Sequence, residues 1–366
     1  MTTRPLDMPV SAPHTTTALG VPRVMALVMA ALVPATAFGF WLYGWPAIWL
    51  WLVTVAAAAA GEAFCLRLMG RPVLPALHDG SALLTGWLLA LSLPPWAPWW
   101  IGVFGGLFAT VLGKQVFGGL GQNLFNPAMV ARVALLISFP VQMTAWVAAV
   151  PIASAAAPGP LAGLLVTFKG AVPSLDAVAS ASLLGFAKTE MSRGVDLLQS
   201  AAHFPAQTWF GSRPGSLGET AAWLIAAGGA MMVFLRIITW HIPVAMLAGI
   251  ALPAAILHAV DPARYLDAGT HLMSGGAMLG AFFIATDYVT SPNTPRGQLV
   301  FGAGCGLLTY VIRTWAGYPE GVAFAVLLMN SLTPVIDSYM KPRVYGRDRA
   351  GKPLKDRKST RLNSSH

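Results

Sequence analysis

Residues 24–60 read VMALVMAALVPATAFGFWLYGWPAIWLWLVTVAAAAA, and this stretch decides the fold. It contains no charged residue, and Gly44, Trp45 and Pro46 divide it into two apolar runs. Each run is close to the roughly 20 residues that an α-helix needs to cross a bilayer. Trp45 lies between the runs, where the lipid–water interface favours an aromatic side chain. The stretch therefore predicts two consecutive membrane helices, over residues 23–43 and 46–63.

The composition extends this interpretation to the whole chain. Hydrophobic residues make up 56% of the 366 residues, and charged residues only 10%. Soluble domains carry about 25% charged residues, so this chain could not cover a globular surface with polar groups. Apolar runs bounded by proline, glycine or charges predict eight further spans, at 81–93, 97–113, 125–150, 219–236, 240–258, 273–287, 299–315 and 321–339. We therefore predict an all-α polytopic membrane protein with about ten transmembrane helices.

The positive charges predict the topology. Lysine and arginine favour short cytoplasmic loops, and their positions place both termini in the cytoplasm and the long segment 151–218 outside it. The net charge of +9 belongs largely to these loops and to the C-terminal tail. Because no basic stripe alternates with aromatic residues, we expect membrane lipid around the chain and no nucleic acid. Cys65 and Cys305 match no metal-binding spacing.

Two parts of the chain resemble each other at an offset of about 200 residues. HDGSALLTGWLLA at 78–90 resembles HLMSGGAMLGAFF at 271–283, and each block is followed by a basic residue, Lys114 or Arg313. Each part also carries an asparagine near a proline in its last span, at Asn126 or Asn330. Five spans in each half would give the halves opposite orientation, with a site of broken helices at their interface. The alternative is coincidence among glycine- and alanine-rich helices.

These patterns divide the chain into six parts. They are a cytoplasmic tail (1–22), a first membrane repeat (23–150), an extracytoplasmic loop (151–218), a second repeat (219–340), a cytoplasmic tail (341–355) and a terminal segment (356–366). The last segment, DRKSTRLNSSH, corresponds codon for codon to a common sequencing adapter. We expect it to be an artefact, and the natural sequence to depart from this one after Lys355.

Two blocks have the composition of a ligand site. Residues 113–129, GKQVFGGLGQNLFNPAM, contain glycines that allow close backbone approach. No strand precedes them, which excludes a dinucleotide fingerprint. A packed turn between helices and a wall for a planar ligand both remain open. Residues 274–297 are rich in hydroxyl groups around Asp287, for which Arg296 is a candidate partner; a capped helix end is the alternative. We expect most acids near span ends to be interfacial: Glu62, Glu219, Asp287, Glu320 and Asp337.

Six blocks together make the chain similar to a known family, at 91–100, 113–129, 215–220, 236–243, 274–297 and 313–330. Over residues 21–347 it resembles the D subunits of the Rnf electron-transport complex and the related B subunit of the sodium-translocating NADH:quinone reductase. The resemblance implies FMN joined by a phosphoester to a hydroxyl residue in the extracytoplasmic loop. The matching motif runs from Asp176 through Ala181 to Ser182, where the family usually has threonine. Ser182 is the expected acceptor, and Thr189 is the second candidate.

The resemblance also implies a second flavin, riboflavin, bound noncovalently between the helices. The implied partners are the other Rnf subunits, in a complex that passes electrons between ferredoxin and NAD and couples them to proton or sodium translocation. The implied location is the bacterial inner membrane. Two other functions stay open from the residues: a solute channel or carrier without redox activity, and a scaffold whose flavin site has decayed.

Overall fold

The computed structural model describes residues 20–170, 183–193, 215–318 and 320–341. Every regular element in these ranges is helical. The α-helices are α1 Val21–Leu68, α2 Val73–Leu77, α3 Ser81–Ser92, α4 Trp99–Leu107, α5 Pro127–Ser138, α6 Pro140–Thr144, α7 Pro160–Lys169, α8 Leu183–Ser192, α9 Leu217–Thr220, α10 Ala222–Phe234, α11 His241–Val260, α12 Ala268–Met273, α13 Ala277–Leu279, α14 Pro295–Trp315 and α15 Val322–Tyr339. Two π-helical turns, Phe108–Leu112 and Gly280–Ile284, continue α4 and α13.

Helix α1 is a hairpin of two arms. Gly44, with φ +70° and ψ −158°, interrupts the helical backbone at its middle, and Pro46 follows it. Glycine adopts a positive φ without steric cost, which other residues do not. Phe40 and Trp51, on opposite sides of the turn, pack with ring centroids 5.7 Å apart. The two predicted spans are therefore the two arms, 21–43 and 45–68.

The two arms bring their far ends to the same side of the molecule. Met25 of the first arm lies 3.4 Å from the position of a Cβ atom on Gly80. In the second arm, Glu62 bonds to Lys114, which also donates to Ser81, the neighbour of Gly80. We call this side of the bundle the Val21 end and the opposite side the Gly44 end.

Within the described residues, four helices are long and apolar enough to cross a membrane: Val21–Leu68, Trp99–Phe117, His241–Val260 and Val322–Tyr339. Shorter apolar helices lie between them, including Ser81–Ser92, Pro127–Ser138 and Ala222–Phe234. The prediction of an all-α polytopic membrane protein is confirmed.

The predicted span 125–150 is too long, because α5 ends at Ser138 and Pro140 begins a separate short helix. Proline has no N–H to donate and disfavours a helical residue before it.

Matching glycines allow close helix packing in both halves. A Cβ on Gly102 or Gly106 of α4 would lie 2.5 Å from Thr54 Oγ1 or 2.7 Å from Thr54 O on the second arm of α1. At positions 200 higher in number, glycines of α14 pack in the same way on α11. There the distances are 2.7 Å from Gly302 to Ile242 O and 2.2 Å from Gly306 to Met246 O. The predicted repeat is therefore visible as a repeated helix pair.

The two helix pairs run in opposite directions. Helix α4 runs parallel to the second arm of α1, because Gly102 lies near Thr54 and the next turns of the two helices are also in contact. Both therefore run from the Gly44 end to the Val21 end. Ile238, just before α11, lines the same cavity as Val21, so α11 and its parallel partner α14 start at the Val21 end. This is the arrangement expected of an inverted repeat.

The basic residues of the repeat occupy corresponding places, but the asparagines do not. Lys114 Nζ donates to Ser81 Oγ at 2.6 Å, and Arg313 Nη2 donates to Ser274 O at 2.9 Å. Each cation thus bonds near the start of a short helix of its own half, which is α3 for Lys114 and α13 for Arg313. Asn126, however, caps the start of α5, whereas Asn330 lies within α15. The two asparagines of the repeat therefore hold different places in their helices.

Helices α7 and α8 of segment 151–218 both pack at the Gly44 end. In α7, a Cβ on Gly163 would lie 2.6 Å from Trp45 Cβ, and Pro160 O accepts from Trp49 Nε1 at 3.2 Å. Helix α8 packs against the C-terminal end of α14, where its Lys188 bonds to Arg313 O. This side is opposite to the one at which α1 begins and α15 ends.

Candidate functional site

The candidate site is a cavity of about 580 Å³ at the Val21 end, between the two halves. Pockets for small ligands commonly have about 300–1,000 Å³. Both halves contribute residues, which come from the first arm of α1, α3, the turn before α5, α10 with the residues after it, and the second π-turn with the segment after it. They are Val21, Val24, Met25, Val28, Ser81, Leu84, Thr85, Leu88, Lys114, Leu120, Gly121, Asn123, Asn126, Pro127, Ala128, Met232, Ile237, Ile238, Phe282, Phe283, Thr286, Asp287, Tyr288 and Val289.

One wall comes from block 113–129. Gly118, Gly119 and Gly121 have φ values of +114°, +103° and +88°, which glycine alone adopts readily. No atom lies within 4 Å of the place where Gly121 would carry a Cβ. Asn126 Oδ1 accepts from Ala128 N and so starts α5 at the cavity. The block is thus a turn between helices, and residues of this turn also form one wall of the cavity.

The facing wall comes from block 274–297. Phe282 and Phe283 belong to the π-turn, and Asp287 follows it at the cavity. The Asp287 carboxylate accepts from Val289 N and Thr290 Oγ1, both at 3.3 Å. Both Asp287 and Arg296 lie in the described part of the chain, yet no ion pair joins them, and Arg296 is exposed. The proposed pairing is therefore corrected.

A buried ion pair supports the cavity on the side of the first half. Lys114 Nζ donates to the two carboxylate oxygens of Glu62 at 2.7 and 2.8 Å. Its third bond goes to Ser81 Oγ, and Gln115 Nε2 adds a further donor to this group at 3.0 Å from Glu62 Oε1. The lysine is only 1% exposed and the glutamate 2%. Burial of both charges is tolerated because they are paired and hydrogen-bonded.

Two polar contacts join the halves. Arg132 of α5 forms a buried ion pair with Glu320, which precedes α15. The side-chain oxygen of Asn330, in the amide orientation that satisfies its neighbours, accepts from Asn126 N at 3.1 Å. Glu219 is also buried, where its carboxylate accepts from Ser216 N at 2.9 Å. Glu62, Glu219 and Glu320 are therefore buried within the protein, although each lies near the end of a predicted span.

The expected attachment site for FMN lies outside the described residues. Asp176, Ala181 and Ser182 all lie there, and the next described residue is Leu183, where α8 begins. Thr189, the second candidate, lies on α8, and its hydroxyl donates to Gly185 O at 2.9 Å.

Comparison with known proteins identifies the family. A model of the NQR2, RnfD, RnfE family matches residues 9–346. The chain belongs to this family. A protein from Halorhodospira halophila, named as the D subunit of an ion-translocating oxidoreductase complex, is 55% identical over 347 residues, which is 94% of this chain and 97% of the relative. Proteins of the same name from Stutzerimonas stutzeri and Rhodobacter capsulatus are 54% and 49% identical, over 93% and 84% of this chain and 96% and 86% of theirs.

The resemblance found in the six sequence blocks is therefore confirmed. The family match spans both halves of the cavity, so each of its walls belongs to the matched region. None of these three relatives is named as a channel or carrier.

Sequence reasoning missed the Arg132–Glu320 pair, whose residues are 188 positions apart. No local pattern in the sequence could have joined them.

Proposed function

We propose that this protein is the membrane-embedded D subunit of an Rnf-type complex, which passes electrons through flavins between ferredoxin and NAD and couples this to proton or sodium translocation. The observation that carries the proposal is the cavity of about 580 Å³ whose walls are the two motif blocks of a family of ion-translocating oxidoreductase subunits. The other Rnf subunits would be its partners.

The residues of the cavity fit a noncovalent flavin such as riboflavin. The ring system of a flavin is flat, with apolar faces and polar edges. Apolar side chains dominate the lining, polar groups are few, and Gly121 leaves its backbone open to the cavity. The apolar faces would be held by Leu84, Leu88, Phe282 and Phe283, and the polar edges by Ser81, Thr85, Asn123 and Thr286.

A bound flavin would supply one- and two-electron redox chemistry, which the protein's own side chains lack. The chain would hold the flavin in place, exclude water from its ring and determine the charge around it. Leu88 and Phe283 are 5% exposed and would keep water from the ring. Lys114 is held by Glu62, so it would present a fixed, nearly neutral pair to the cavity rather than a free cation.

A second flavin, FMN, would be attached covalently at Ser182. The support is the family resemblance of the motif that includes Asp176 and Ala181. A serine hydroxyl can form the same phosphoester as threonine, by displacing the leaving group of an activated flavin phosphate donor in a transferase-catalysed step. Thr189 is less suited, because its hydroxyl is engaged within α8.

The proposed setting is the bacterial inner membrane, with the Val21 end in the cytoplasm. Positive charges favour cytoplasmic loops. The loops and tail at the Val21 end carry Arg67, Arg71, Arg236, Arg296 and Lys341. The flavin-bearing segment would then face the other side.

The test is flavin analysis of the complex purified from cells that also make the flavin transferase. We expect one flavin that stays with the chain in a denaturing gel, seen by fluorescence, and one that is extracted by acid. Ser182→Ala should abolish the fluorescent band and leave the extractable flavin. An unchanged band would refute Ser182 as the acceptor. A colourless complex that moves solute across liposomes would support a carrier instead.

A further inference from the structure

We propose that Lys188 is a positioning residue that fastens the flavin-bearing segment to the C-terminal end of α14. The inference rests on the proposed covalent flavin at Ser182, but the docking itself stands on described contacts. It concerns Lys188 of α8, to which no motif of the sequence assigned a role.

Helix α8 docks on the second half through two apolar side chains. Leu184 is 5% exposed and Ala187 3% exposed. Leu184 Cδ1 lies 3.1 Å from the position of a Cβ atom on Gly275, whose φ is +64°. A larger residue at position 275 would therefore meet both an unfavourable backbone conformation and the leucine. The glycine thus leaves room for Leu184 of α8 and, still closer, for Arg313, whose Nη2 lies 2.3 Å from the same Cβ position.

Lys188 adds a polar fastening to this apolar contact. Its Nζ donates to Arg313 O at 3.2 Å, to Tyr318 O at 3.2 Å and to Ala316 O. The carbonyls of a last helical turn have no partner within the helix, and a cation at that end is favourable. Lys188 thus caps α14 from a different segment of the chain, and three acceptors fix the position of its ammonium group.

The fastening is close to the proposed attachment residue. In the sequence, Ser182 directly precedes Leu183, the first residue of α8. Lys188 lies five residues further along α8 than Leu183, about 7.5 Å at the helical rise. The same α14 end holds Arg313, which donates to His271 O and Ser274 O. A flavin attached at Ser182 would therefore be linked to a helix that is held on α14.

This arrangement would set the distance between the covalent flavin and its redox partners. Electron transfer slows steeply as the gap between donor and acceptor widens. Releasing α8 would let the attached flavin move away from one fixed position. Lys188 would then affect the rate of electron transfer without touching a flavin.

The test compares three substitutions in the assembled complex. Lys188→Met keeps the apolar stem and removes the donors, and Lys188→Arg restores them. Lys169→Met is the matched control, because Lys169 is an exposed lysine at the end of α7 in the same connecting segment. Amide hydrogen exchange of residues 183–192 reports the docking, and stopped-flow reduction of the covalent flavin reports the positioning.

Hydrogen bonds to a charged group typically change an equilibrium by about ten- to a hundredfold. We expect exchange in residues 183–192 to rise by at least about tenfold in Lys188→Met, and reduction of the covalent flavin to slow by about tenfold. Fluorescence per chain and extractable flavin should stay at wild-type levels. Lys169→Met should match the wild type, and Lys188→Arg should recover most of both effects.

Two outcomes would overturn the inference. One is exchange in 183–192 that is the same in Lys188→Met and Lys169→Met. The other is faster exchange with an unchanged rate of flavin reduction, which would make Lys188 a purely structural residue. A wild-type complex without covalent flavin would instead refute the proposed attachment, while the exchange experiment would still decide whether Lys188 docks α8.

Discussion

Lys114 and Glu62 form a buried ion pair in which the ammonium contacts both carboxylate oxygens, at 2.7 and 2.8 Å. Their side chains are 2% and 3% exposed. The pair joins the end of the α4 segment to the second arm of α1, beside the cavity. Its partners Ser81 and Gln115 complete the hydrogen bonding that makes the burial of two charges tolerable.

Removing one partner of this pair should destabilise the protein strongly. Lys114→Met would leave the Glu62 carboxylate buried and uncompensated, at a cost of about 3–5 kcal/mol. The double variant Lys114→Met with Glu62→Met should recover much of this loss, because neither charge is then buried alone. Denaturant unfolding of the purified complex in detergent measures the free energy of unfolding of the single and the double variant. The pair Arg193–Glu190 gives the control, because the Arg193 side chain is 68% exposed and Arg193→Ala should change stability by less than about 1 kcal/mol.

Close packing of α14 on α11 gives a second prediction. Gly306→Ala would place a methyl group 2.2 Å from Met246 O, a backbone atom that cannot move away alone. Overpacking of this kind typically costs about 1–3 kcal/mol. Gly317→Ala is the matched control, because no atom lies within 4 Å of its Cβ position. Thermal unfolding followed by tryptophan fluorescence should separate the two variants, and equal midpoints would show that the helices can part at no cost.

The sequence predicted what depends on local pattern and failed where distant residues decide. The spans 23–43 and 46–63 follow from apolar length and from Gly44, which are local properties. The repeat was detectable because the blocks at 78–90 and 271–283, and the basic residues that follow them, recur at an offset of about 200 residues. Arg132 and Glu320 meet only after both halves have assembled, so no spacing along the chain predicts their contact.

Composition also says little about where an apolar helix ends. Residues 125–150 are apolar enough for one long span, but Pro140 and the non-helical backbone after α6 leave a twelve-residue α5. The two motif blocks were recognised as candidate walls, yet their meeting in one cavity required the fold. The assignment of FMN to Ser182 stays a prediction of the family resemblance.

Asp267 gives a prediction about pH at the Gly44 end. Its carboxylate caps α12, accepting from Thr270 N at 2.9 Å and from the Thr270 hydroxyl. Burial raises the pKa of Asp267, but these hydrogen bonds outweigh it and hold the pKa below its ordinary value. The folded state therefore favours the charged form, and the cap contributes stability above the unfolded-state pKa of about 3.9. That contribution is lost as the pH falls through the lower folded-state pKa.

The comparison of Asp267→Ala with the wild type tests this sign. At neutral pH the alanine variant should lose about 1 kcal/mol at α12. The difference should shrink as the pH falls below about 4. Asp267→Asn should cap α12 without this pH dependence, because asparagine does not titrate. Amide exchange of residues 268–273, corrected for the intrinsic effect of pH, measures all three proteins. A difference that grows on acidification would contradict the direction of the pKa shift.

The cavity yields the prediction that bears most directly on function. Leu88 is 5% exposed and lines the cavity from α3, so Leu88→Trp would place an indole in the space assigned to the noncovalent flavin. The indole should weaken flavin binding, so that acid-extractable flavin falls by at least about tenfold. A tenfold fall corresponds to a loss of roughly 1.4 kcal/mol of binding free energy. The covalent flavin proposed at Ser182 should keep its in-gel fluorescence, because α8, which follows that residue, packs at the opposite end of the bundle. Leu83→Trp is the matched control, because Leu83 lies on the same helix but is 38% exposed and outside the lining. If Leu88→Trp retained its full extractable flavin, the noncovalent flavin would bind elsewhere, and the two motif blocks would form this cavity for another ligand.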